Sequence, residues 1–191
     1  MSVVIPPLFC YYNSHPSFVF EEAKMLALTA VSANEYMKKF LAGSEFDPFL
    51  VIEGTLSTHI TYSFDGHINR DFYNETEKGA DMLPYEFISW SDLKPTIYNL
   101  VKGNHLPLFM KFVLQLKPEK AQAMLCKADP EGDFSQVKSL LLTIKYDGEK
   151  VTLTSGISYN TFVMNHDADK IWDSSLKQYL NAKGLDFEEQ F

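Results

Sequence analysis

The stretch from Leu140 to Thr154 limits the possible folds of this chain more than any other. Leu142, Ile144 and Tyr146 alternate with Thr143 and Lys145, and beyond Asp147-Gly148 the residues Val151 and Leu153 alternate with Lys150, Thr152 and Thr154. A two-residue Asp-Gly turn pairs Tyr146 with Glu149, Ile144 with Val151 and Leu142 with Leu153, which sets every apolar side chain on one face. A slip of one residue would turn that face to water, so the register is strongly specified. Gly156 then predicts a bend into a third strand at Tyr159 to Met164.

The same logic runs outward along the chain. Leu26, Leu28 and Ala30 alternate as a short strand. Ser32-Ala33-Asn34-Glu35 reads as a capping box, with Val31 and Tyr36 as its staple, and Gly43 as a left-handed C-terminal cap. Phe49 to Phe64 alternates as a long strand, and Asp65-Gly66 predicts a second two-residue hairpin that returns through His67 to Tyr73. Asn74 to Leu83 is polar and acidic, a surface loop. Ser91 and Asp92 open a helix with the stripe Leu93, Ile97, Leu100 and Val101. Leu108 to Leu116 is a strand of single parity, and Pro118 starts a short helix. The last helix starts near Asp167, buries Ile171, Trp172, Leu176, Tyr179 and Leu180, and stops at Gly184, with Leu185 set against Leu180. The tail Leu185 to Phe191 looks like a short peptide anchor, but Leu185 and Phe187 are read as packing on their own domain. The predicted class is α+β, a largely antiparallel sheet with two Asp-Gly hairpins and about four helices.

Residues 1–24 stand apart. Pro6-Pro7 breaks the apolar start, there is no basic residue before Lys24, and the aromatics show no period, so neither a secretory signal nor a membrane span fits. Glu21-Glu22-Ala23 can be encoded by AGGAGG, a bacterial ribosome-binding sequence, just before Met25. The expected organisation is therefore an N-terminal extension, 1–24, either untranslated or disordered, and one globular domain, 25–191; an arm packed on the domain is the alternative.

Composition restricts function. A hydrophobic share of 46% supports one packed domain, and two cysteines, Cys10 and Cys126, exclude a disulfide-stapled scaffold, which points to a cytoplasmic protein. The net charge is −8, and among 17 basic residues Arg70 is the single arginine. Sequence-specific nucleic-acid reading, which relies on the arginine fork, is disfavoured.

Chemistry-bearing residue types are present without a diagnostic spacing. His166-Asp167-Ala168-Asp169 and the pair Asp65 and His67 offer metal-ligand types, but neither has a second cluster, and Asp167 is read as the N-cap of the last helix. Cys126 reads as a core or helix-face thiol. No nucleophile elbow, phosphate loop or dinucleotide fingerprint occurs, so no catalytic residue, metal or cofactor is assigned. The most unusual surface is the polar face of the first hairpin, Ser57, His59, Thr61 and Ser63, with Arg70 projected opposite Thr61. His59, Thr61, Ser63 and Arg70 are the candidate ligand or partner surface, with the acidic loop after Tyr73 as its cover.

Trp90-Ser91-Asp92-Leu93-Lys94-Pro95, leading to Leu100-Val101-Lys102-Gly103, and the segment from Trp172 to Phe191 resemble a family of uncharacterised bacterial proteins known only as a domain of unknown function. The resemblance runs from near Met25 over the remaining chain and implies no activity. A second resemblance, of topology, is to the processivity-clamp fold of DNA replication. It rests on the strand, helix and hairpin order of Met110 to Ser155 and a partial copy at Met25 to Tyr73, with the helix at Ser91 and the terminal helix as departures, and one such domain encircles DNA only by oligomerising.

The sequence therefore reads as a non-catalytic binding or scaffold module whose protein or small-molecule ligand is unidentified. The rival classes are a small enzyme, with His59 for proton transfer and Arg70 for anion binding, and a clamp-like DNA-associated protein.

Overall fold

A computed structural model describes residues 25–73, 83–103, 105–163 and 165–190. The expectations for residues 1–24 and for the loop at 74–82 lie outside them. The strands are β1 (Ala27–Ala30), β2 (Phe49–Ser57), β3 (Thr61–Asp65), β4 (Phe109–Leu116), β5 (Val137–Tyr146), β6 (Val151–Tyr159) and β7 (Phe187–Glu189). The helices are α1 (Ala33–Ala42), α2 (Trp90–Val101), α3 (Pro118–Ala128) and α4 (Asp167–Ala182), with a 3-10 turn at Arg70–Phe72. None is long and apolar enough to cross a membrane.

All seven strands join one antiparallel sheet in the order β3-β2-β4-β5-β6-β1-β7. Period-two patterning decides its faces. Leu56, Met110, Phe112, Leu114, Leu142, Ile144, Leu153 and Leu28 are buried on one side in a single core with the helices. The other side carries Thr55, Lys111, Thr143, Lys145, Thr152, Thr154 and Thr29, half-buried or exposed. An antiparallel sheet tolerates this because one packed face suffices.

The helices are tied down by rings and by caps. Trp90 stacks on Phe40 at 4.1 Å, meets Phe112 edge-on at 5.3 Å, and donates its indole N–H to the Phe40 carbonyl at 3.1 Å. Both residues are fully buried, and removing a side chain of that size costs about 3–5 kcal/mol. Lysines close helix ends from neighbouring elements: Lys94 of α2 donates to the Gly43 carbonyl after α1, and Lys39 of α1 donates to the Lys183 and Gly184 carbonyls after α4.

Several expectations need correction. The first hairpin turns at 58–60, where Thr58 N–H donates to the Ile60 carbonyl, so Asp65-Gly66 ends β3 instead of joining two strands. In the second hairpin Tyr146 pairs with Val151 and Ile144 with Leu153, two residues from the predicted register. The shift preserves parity, and the longer turn is closed by Asp147, whose carboxylate accepts from the Glu149 and Lys150 amides. Gly156 lies inside a continuous β6, so among the described residues no separate third meander strand follows it. Ser32 caps α1 as expected, but Val31 is 62% exposed and makes no staple, and Gly43 is extended. Asp167 is the first residue of α4, its amide held by Asn165; His166 occupies the cap. The Gly184 stop holds: its φ is +62° and Leu185 N–H reaches the Leu180 carbonyl. Leu185 is buried, and the tail adds β7 beside β1.

Tyr36 is buried on α1 with no hydrogen-bond partner for its hydroxyl among the described residues, and burial holds its phenol well above the ordinary range. An unmade buried hydrogen bond is costly. Tyr36→Phe should leave stability unchanged or raise it by about 1 kcal/mol in urea unfolding; a clear loss would show that the hydroxyl is used.

Candidate functional site

Gly66 opens a cleft beside the first hairpin. At Gly66 the chain leaves β2, and residues 86–89 wedge in: Val51 N–H donates to the Ile88 carbonyl, and Ile88 N–H to the Gly66 carbonyl. A Cβ on Gly66 would stand 1.7 Å from the Val51 carbonyl oxygen, so glycine is required by close approach. His67 pairs with Phe87 across the wedge. Between residues 64–73 on one wall and 83–93 on the other lies a cleft of about 740 Å³, with Lys117 at its side.

Its lining is aromatic. Phe64, Phe72, Tyr73, Tyr85 and Phe87 all contribute, and Phe72 is 84% exposed. The polar side chains of the lining are Asp65, His67, Asn69, Ser89, Ser91, Asp92 and Lys117, with Ser89 Oγ and Ser91 Oγ 2.8 Å apart. Lys117 Nζ lies 5.5 Å from the Tyr85 ring centroid, and Tyr85 donates its hydroxyl to Glu119 at 2.7 Å. That bond raises the Tyr85 phenol and lowers the Glu119 carboxyl from their ordinary values.

None of the four candidate residues lines this cleft. Thr61 and Ser63 are exposed on β3, with Thr61 Oγ1 3.1 Å from Ser57 Oγ. His59 sits at the tip of the turn, its ring near the Thr58 hydroxyl. Arg70 does not face Thr61, which pairs with Ser57; it lies in the 3-10 turn and donates to the Leu83 and Tyr85 carbonyls at 3.1 and 3.3 Å. Its guanidinium thus ties the two walls together. The aromatic lining escaped the sequence reading because all of its rings but Phe64 belong to irregular segments that only the tertiary structure brings together; the signal was their density, which no period organised.

A second polar group lies under α4. Asp169 accepts from the Tyr159 hydroxyl at 2.6 Å and stands 3.2 Å from His166 Nδ1, while Ser155 donates to Asp173. The serine and the histidine address different carboxylates, so no relay forms between them. Among the described residues no three His, Cys, Asp or Glu side chains gather where a metal could sit. Cys126 is exposed on α3.

The model of a family of unknown function (DUF5721) matches residues 39–188. No curated protein matches the chain. No solved structure matches it either.

Two measurements test these environments. Gly66→Ala should cost about 3 kcal/mol or more in chemical denaturation, because backbone blocks the methyl; a neutral result would contradict the wedge. Asp173 is raised above its ordinary value by burial, with neighbouring Asp169 adding to the rise and Ser155 opposing it. A carboxyl raised in the folded state stabilises below its unfolded value and loses that contribution as pH rises through its folded value. Asp173→Asn should therefore raise Tm at pH 7 and leave it unchanged below about pH 3.5, where both forms are neutral; an equal effect at both pH values would refute it.

Proposed function

The chain belongs to the DUF5721 family, whose function is unknown, and we propose that it is a cytoplasmic, non-catalytic binding module whose ligand surface is the cleft between residues 64–73 and 83–93. The observation that carries this reading is the aromatic lining. Five rings line a volume typical of ligand sites, and Phe72 among them is largely exposed. Covering such surface is favourable by about 25 cal/mol per Å² of apolar area. Asp65, Ser89, Ser91, Asp92 and Lys117 supply polar contacts that would orient a ligand, and the Arg70 clip keeps the walls at fixed separation, which lowers the ordering cost of binding.

A catalytic reading has less support. Arg70 is engaged with the Leu83 and Tyr85 carbonyls, and His59 stands on the exposed 58–60 turn beside the Thr58 hydroxyl, away from the cleft lining, so the pair expected to transfer a proton and bind an anion is not assembled at one site.

The neutral dye Nile red should brighten on binding the intact chain, and Phe72→Ala should weaken it several-fold while unfolding free energy stays within about 0.5 kcal/mol. Absence of binding, or binding indifferent to Phe72, would overturn the assignment of the cleft.

A further inference from the structure

The sheet has two edges, and they are treated differently. β7 is three residues long and carries Glu188 and Glu189, the short, charged edge that resists pairing with another chain. β3 is the opposite edge, five residues, Thr-Tyr-Ser-Phe-Asp, without proline, lysine or bulge. No described strand pairs with its outer side.

The backbone direction of β3 follows from two hydrogen bonds. Gly66 N–H donates to the Ile52 carbonyl and Thr58 N–H to the Ile60 carbonyl, each at 2.9 Å. Both pairs, 52 with 66 and 58 with 60, lie on the register that sets Glu53 against Asp65 and Ser57 against Thr61. Bonded and non-bonded pairs alternate along an antiparallel ladder, so Tyr62 and Phe64 turn their backbone groups to β2. Thr61, Ser63 and Asp65 direct theirs outward. Beside this row Tyr62 and Phe64 form a half-buried aromatic rail on the helix side, with ring centroids 6.4 Å apart.

We infer that the outer edge of β3 accepts an extended segment of a partner polypeptide as an eighth strand, with apolar residues over Tyr62 and Phe64 alternating with basic residues on the open face. Charge selects that occupant. Asp65 ends the edge, and among the described residues the exposed Asp71, Glu86 and Asp92 belong to the walls of the cleft beyond it, against Lys117 and an Arg70 already held by backbone carbonyls. A second copy of this chain would bring the same acids and a net charge of −8 to the contact; a basic strand meets no such repulsion. The inference rests on the chain being a binding module, and adds the edge to the cleft as a second surface.

The test uses a short labelled peptide alternating valine and lysine, and its valine-glutamate counterpart. Fluorescence anisotropy on the full chain should show the lysine peptide binding at least about tenfold more tightly. Ser63→Pro removes an outward amide that the β2 ladder does not use, so it should keep the fold and lose about tenfold or more in affinity, whereas Ser63→Ala binds normally. On the unsubstituted chain, amide exchange should slow on peptide addition at Thr61, Ser63 and Asp65, a readout that stands if the proline variant misfolds. Equal binding of both peptides, protection elsewhere, or a dimer of the chain that Ser63→Pro dissolves would overturn the proposal. Nile red binding unaffected by Ser63→Pro separates failure at the edge from failure of the cleft.

Discussion

The rings that begin with Trp90 and Phe40 are what the helical layer hangs on. Phe112 meets them tilted and edge-on from the sheet, Phe64 stacks on Phe112 from the edge, and Phe46 meets Phe40 on the far side, continuing to Phe49 and Tyr179. One connected group of side chains thus links β3, β4, α1, α2 and α4. Because ring pairs favour offset or edge-on contact, they fix orientation as well as distance. The indole N–H to Phe40 then sets how α2 approaches α1, and with it where the wall of the cleft after Leu83 meets the sheet.

What the sequence made legible was whatever depends on period. β4, β5 and the first half of β6 read correctly because each buries one parity, and α4 read correctly through its stripe and its Gly184-Leu185 stop. The errors share a cause. Asp65-Gly66 has turn chemistry, but glycine there answers to the Val51 carbonyl, a neighbour that only the tertiary structure supplies. Gly156 on the open face needs no bend because nothing crowds it within ordinary contact distance except Leu141 at 3.8 Å. At Asp147-Gly148 the turn residues were right and the loop length was wrong; a shift of two residues leaves the pattern of burial unaltered, so hydrophobic alternation is blind to it.

The site was half legible for the same reason. Thr61 and Ser63 stood out by polarity, yet their distinction in the structure lies in backbone groups directed away from β2. Arg70 stood out as the lone arginine, and its work is to join Leu83 and Tyr85 to the turn that carries Phe72. A planar fork suited to anions here serves carbonyl oxygens, which accept the same donors.

The place of β1 carries a consequence for how the chain reaches this state. It pairs with β6 through Leu28 and Leu153 and with β7 through Leu28 and Glu189, and with no strand near it in sequence. As the chain is synthesised, this strand emerges long before either partner, and its inward Leu28 and Ala30 must wait without a ladder. Loop closure over that separation comes late and is slow, while β4, α3, β5 and β6 assemble from local contacts. The sheet is thus completed last on the side where the chain began.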